Sequence, residues 1–163
     1  MNSFKEKVVY GMFTVSKKPV LFRDLLEANS TYNENMLVDP SKLNFKFKYG
    51  KSYIIFGLLC LAILIPLIIL THKFLAKADV HISLIVAILV TASIFIGFDI
   101  FKAWARSELT KDLIKKAWRV HFPYFDYDKY NQKVEEIYNE AVKKEIPKRD
   151  LEKYVIDTLV KLS

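Results

Sequence analysis

Cysteine occurs once in this 163-residue chain, at Cys60, and glycine only four times. A lone cysteine excludes an intramolecular disulfide scaffold. So few glycines exclude a collagen-like repeat and leave no glycine-rich cradle for phosphate. None of the motifs G-x-x-x-x-G-K-[ST], G-x-G-x-x-G, H-E-x-x-H and G-x-S-x-G is present. The histidines, His72, His81 and His121, are scattered and form no metal-ligand run. There is no internal repeat and no low-complexity tract, and 14% aromatic residues argue against disorder. The sequence therefore predicts no catalytic residues, no metal site and no cofactor.

Charge is also missing, in two places. Residues 52–71 form twenty positions without Asp, Glu, Lys or Arg, and residues 80–98 form nineteen more. A helix of about 20 apolar residues crosses a hydrocarbon layer of about 30 Å. Each Leu or Ile at the centre of a span favours insertion by roughly 0.3–0.6 kcal/mol. The first window begins too far along the chain for a secretory signal. Pro66 removes a hydrogen bond to the Ala62 carbonyl and predicts a kink in its outer third. The second span, 80–101, is more polar, with His81, Ser83, Thr91 and Ser93. The link at 72–79 is short enough to force an antiparallel helical hairpin. His72 and His81 flank that link and offer a pH-sensing or metal pair, against the plainer reading of two interfacial imidazoles.

What is abundant is positive charge, a net +7. Ten basic residues lie beside the spans on one side: Lys42, Lys46, Lys48, Lys51, Lys102, Arg106, Lys111, Lys115, Lys116 and Arg119. The link holds only Lys73 and Lys77. This bias predicts an inner-membrane protein with both termini in the cytoplasm. The charge flanks the spans instead of forming a patch on a folded domain. It therefore reads as a signal to anionic lipid headgroups and not to nucleic acid. Tyr53, Trp104, Lys48, Lys51, Lys102 and Arg106 are the expected interfacial anchors.

Outside the spans the pattern is mostly helical. Phe4, Val8, Val9, Met12 and Val15 suggest an amphipathic helix, lying on the membrane or on the protein itself. A short helix is expected over 19–28 and a polar loop over 29–35. Leu43, Phe45, Phe47 and Tyr49 alternate with polar residues, predicting a short strand that must pair with another chain or with the N-terminal region or lie in the interface; it is read as interfacial or partner-binding ahead of the first span, against the plainer reading of an extended linker. Beyond the second span the helical stripe continues to Pro123. A helix from Val80 to His121 would be about 63 Å long. Two short helices, over 127–145 and 148–162, would form a hairpin too small to stand alone. Asp126 or Asp128 is placed to cap the first of them. Glu135, Glu136 and Glu140 read as a solvated face. The expected fold is an all-α membrane protein. A two-span transmembrane hairpin has a long second helix extending into the cytoplasm, a small C-terminal helical hairpin and a short strand before the first span. The divisions are 1–51, 52–71, 72–79, 80–101, 102–122 and 123–163.

Two features of the second span point to function. Ser83, Ala87, Thr91 and Gly97 share one side and predict a helix-packing or pore seam, meeting the first span through Gly57 and Ala62 or meeting another copy. Asp99 is an acid at the membrane edge. It is either a transport or gating residue or the partner of Lys102 in a headgroup-level ion pair. The leading expectation is a non-enzymatic membrane subunit or anchor, whose cytoplasmic helical module assembles with itself or with a larger membrane complex. The alternatives are a homo-oligomeric two-span channel, of ion-conducting or mechanosensitive type, and a membrane-acting toxin or effector.

Overall fold

The computed structural model describes residues 3–75 and 80–162, the side chains of 3 and 72–75 excepted. Among these residues it contains six helices and two short strands. In order they are α1 (Ser3–Met12), β1 (Phe13–Val15), α2 (Phe22–Asn33), β2 (Phe45–Phe47), α3 (Tyr49–Leu75), α4 (Val80–His121), α5 (Tyr127–Lys143) and α6 (Leu151–Leu162). The chain divides into two compact units, Met1–Thr14 with Phe47–Arg106 and Val15–Lys46 with Ser107–Ser163. Both strands and α4 therefore run from one unit into the other. The link expected over 72–79, with His72, lies outside the described side chains.

The first unit is built on α3 and the first part of α4. Helix α3 has 27 residues and continues through Pro66; α4 has 42. Both are long and apolar enough to cross a membrane, and none of the most apolar window of either is buried in the protein. They run antiparallel, with the ring of Tyr53 stacked on Phe98 at 4.7 Å and Phe56 against Phe98 and Phe101 at 5.3 and 5.5 Å. The hydroxyls of Thr71, Thr91 and Ser93 donate to carbonyls four residues back, at 2.8, 2.8 and 2.7 Å. These side chains are thereby satisfied within their own helix and show neighbours mainly carbon.

Helix α1 packs on α3 through Val9 and Met12, both fully buried, while Phe4 is exposed. Gly11 allows the approach: a Cβ there would lie 3.0 Å from Ile55 Cδ1. The alternating stretch at 43–49 does not stand as a bare interfacial strand. It shortens to β2 and pairs with β1. Lys48 N donates to Met12 O and Ser16 N to Asn44 O, each at 2.8 Å, an antiparallel register. An unpaired strand leaves its backbone groups unbonded, and the N-terminal region is the nearest partner.

The second unit is a helical module with its own core. Leu25 and Leu26 of α2, Leu109, Ile114 and Trp118 of α4, Val134 of α5, and Val155 and Leu159 of α6 are all at most 1% exposed. The apolar stripe on the second half of α4 and both C-terminal stripes are thus covered within the chain. Helix α2 differs from expectation. Helix was expected to give way to a polar loop at Asn29, yet it persists to Asn33. The polar turn docks instead of looping out: Asn29 Nδ2 donates to Asn131 O at 3.0 Å, and Asn33 Nδ2 to Glu135 Oε2 at 2.7 Å. It ends in a Schellman turn, with Met36 N bonded to Thr31 O and Asn35 N to Tyr32 O. Asn35 takes the left-handed position at φ 57°. Helix α5 ends the same way, with Ile146 N bonded to Ala141 O and Glu145 N to Val142 O. Its left-handed residue is Glu145, at φ 54°.

Candidate functional site

The expected anchor residues gather where α3 begins and the uncharged part of α4 ends. Tyr49 and Tyr53 are each 57% exposed and Trp104 is 38% exposed. Lys102 Nζ lies 5.2 Å from the Phe47 ring centre and 5.5 Å from that of Tyr49. Lys5 Nζ lies 5.6 Å from Trp104. Ammonium groups over ring faces gain about 0.5–1 kcal/mol at exposed sites and keep N–H groups for other acceptors. Lys51 is exposed, and Lys48 and Arg106 are half-buried. Ser52, fully buried, ties the base of the collar: its hydroxyl donates to Lys48 O at 2.8 Å and approaches Met12 O at 3.4 Å. The collar is therefore a set of amphipathic aromatics and lysines at one end of the two apolar helices. Its sequence signal is the set of anchor residues at the span edges; the part played by Phe47 and Tyr49 as a platform for Lys102 depends on strand pairing.

The seam residues do not all turn to α3. Ser83, Ala87 and Thr91 are exposed, and only Gly97 faces α3, with Phe56 Cζ 3.5 Å from where its Cβ would be. The side of α4 turned to α3 is instead Val86, Val90, Ser93 and Gly97, opposite Phe56, Cys60, Leu64 and Leu67. Between them lies an apolar groove of about 490 Å³. Gly57 has nothing within 4 Å of its Cβ position, and Ala62 is exposed. The anticipated Asp99–Lys102 ion pair is not formed. Asp99 is exposed and bonds to none of the described residues, because Lys102 turns to the aromatic platform.

In the second unit, Lys42 has carboxylate partners of its own. It pairs with Glu27 at 2.8 Å and Asp24 at 3.5 Å, and the hydrogen bond that its ammonium donates to Glu27 raises its pKa above the ordinary lysine value. Glu135 is half-buried against Asn33 and not on a solvated face. Asn29, Asn33, Asn131 and Glu135 form a polar seam between α2 and α5. Their signal is a four-residue spacing on each helix, one turn apart. His121 bonds through Nε2 to Val20 O at 2.8 Å and meets Phe22 edge-on at 5.5 Å. Leu21, Val120 and Tyr124 are 66, 72 and 93% exposed. Among the described residues no three His, Cys, Asp or Glu side chains converge as a metal site.

Comparisons with known protein families, with curated proteins and with solved structures find no match to this chain.

Proposed function

We propose that this chain is a two-span integral membrane protein that anchors a non-enzymatic helical module on the cytoplasmic side of an inner membrane. One observation carries the reading: the apolar windows of α3 and α4 have no cover from the protein, while the rest of the chain buries a core of its own. Monomeric proteins rarely leave more than a few hundred Å² of contiguous apolar surface to water. Lipid is the solvent that suits such helices, and their hydroxyls already bond within them. The excess of Lys and Arg at the collar favours both chain ends inside.

The module's role in this proposal is assembly with a partner subunit. The buried part of the α4 stripe is used internally, so what supports assembly is the exposure of single large apolar side chains on the module, among them Leu21, Val120 and Tyr124. Carbonate washing of membranes should leave the chain in the pellet, and tags on the two termini should be found on the same face. Release into the aqueous fraction, or tags on opposite faces, would overturn the anchor. Mass measurement after mild detergent extraction should give a species heavier than one chain, reduced by Leu21→Asp with Val120→Asp; a clean monomer would refute assembly.

The exposed Ser83–Ala87–Thr91 side favours a second reading, in which copies pack through α4 around a pore. Planar-bilayer recording of an oligomer under voltage and tension decides it, and absence of conductance would remove it.

A further inference from the structure

Helix α1 is fastened at both ends to the apolar pair. At one end Met12 O accepts from Lys48 N at 2.8 Å, while the neighbouring Gly11 meets Ile55, whose Cδ1 is 3.0 Å from where a Cβ would stand. Ile55 lies seven residues beyond Lys48, about 10 Å along the helix at 1.5 Å per residue. The Gly11 side of α1 therefore looks along α3 into its uncharged part. At the other end Lys5 Nζ lies 5.6 Å from the Trp104 ring centre. Trp104 stands six residues outward of Phe98, the residue stacked on Tyr53, which is about 9 Å along α4. Helix α1 thus lies across the collar end of the pair. At 100° per residue, Phe4 and Gly11 project within about 20° of each other, and Glu6 projects about 160° from Phe4. Phe4 is 76% exposed, and on α3 the residues Ile54 and Leu58 beside Ile55 are 65 and 63% exposed. The bare ring of Phe4 is turned the same way as Gly11, towards these bare side chains.

Resting on the membrane reading above, we propose that α1 is an interfacial helix, lying in the headgroup layer at the collar with the Phe4 ring set among acyl chains. Interfacial helices sink an apolar side about 5–10 Å into the boundary between headgroups and chains and keep charge on the opposite side. Glu6, exposed, holds that opposite side here. Depth selects lipid as the occupant. Where α3 spans the bilayer, Ile54 and Leu58 already lie against acyl chains, and the side of α1 turned the same way borders the same solvent. A soluble partner would have to reach Phe4 through the headgroups. Helix α1 then packs on the protein and on lipid at once, with Val9 and Met12 buried and Phe4 bare.

The test uses the full-length chain in vesicles of phosphatidylethanolamine and phosphatidylglycerol. Nitroxide labels are attached one at a time in a Cys60→Ala background, at Phe4→Cys, Glu6→Cys and Leu61→Cys. All three positions are exposed, so the labels leave the packing intact. Collisions with oxygen, which concentrates in acyl chains, are compared with collisions with a water-soluble nickel chelate. The ratio of oxygen to nickel collisions should be several-fold higher at position 4 than at position 6, and highest at position 61. Gly11→Leu, which forces α1 away from Ile55, should lower the ratio at position 4 and leave that at position 61 unchanged. Equal ratios at positions 4 and 6 would overturn the proposal, whether both labels sit in water or both in lipid. So would a label at position 4 reached by neither probe, because a protein surface would then cover it. A high ratio at position 61 with a low one at position 4 refutes the interfacial helix alone and leaves the membrane anchor standing. A low ratio at position 61 removes both.

Discussion

Trp118 and Tyr127 show how much one buried aromatic pair organises. Trp118 is 1% exposed, donates from Nε1 to Phe125 O at 2.7 Å, and meets the Tyr127 ring edge-on at 5.2 Å. Burial pushes the Tyr127 phenol up to about 12, helped by the negative charge of neighbouring Tyr32, Asp128 and Glu135. The folded state thus favours the neutral phenol over the 10.0 of an ordinary tyrosine. The corresponding stability is complete below pH 10 and is lost as pH rises towards 12. Phenolate absorbance should show one tyrosine ionising late, absent in Tyr127→Phe, with the module beginning to unfold in that same window. Lys42 loses its contribution on the alkaline side too, above its ordinary 10.5, when the ammonium held by Glu27 gives up its proton. Neither effect was legible from composition. Lys42 reads as one more basic residue near a span until the fold brings Glu27 and Asp24 beside it.

Helix ends explain where the pattern of apolar residues stops being a guide. The α4 stripe predicts a helix up to Pro123, and α4 ends at His121. The 3.6-residue period also locates α5 and α6, because their buried residues (Val134, Ile137 and Ala141; Leu151, Val155 and Leu159) recur at that spacing. Helix α2 escapes such reading, since its last turn is held by amides bonded to α5, a contact across about a hundred positions. Of the two candidate caps, Asp126 takes the role, accepting from Asp128 N and Lys129 N, while Asp128 pairs with Lys115. Asp126→Ala should cost about 1 kcal/mol in denaturant unfolding of the module. Glu145 is exposed, yet holds the left-handed turn that closes α5. A left-handed conformation costs an ordinary residue roughly 1–2 kcal/mol and glycine almost nothing. Glu145→Gly should therefore stabilise the module, by about 1 kcal/mol once the extra freedom of glycine in the unfolded chain is subtracted.

Two kinds of solvent are implied for one chain. The second unit buries Trp118, Phe122, Leu25 and Leu159 as a water-facing protein does, whereas α3 and α4 leave Ile69, Leu70 and Phe95 more than 70% exposed. Urea acts on the first kind of packing far more than on helices held by detergent or lipid. The expected result for the purified protein in mild detergent is partial unfolding. Tertiary signals from Trp118 should disappear at a midpoint where much of the helical circular dichroism survives. A single transition removing both together would contradict the division. Hydrophobic runs make this division legible from the sequence, but not the way it is threaded. Nothing in the pattern of residues 15–46 says that they share a core with residues beyond 107.

That threading sets an order of manufacture. Helix α2 leaves the ribosome before both apolar helices, yet its amide contacts with α5 span 98 to 102 positions. At roughly 5–20 residues per second, its partner follows about 5–20 seconds later. Until then Leu25, Leu26 and the asparagine face await closure. A message truncated before α5 would yield a protein with both apolar helices made but with its first-made helix permanently unmated, a ready mark for proteolytic surveillance.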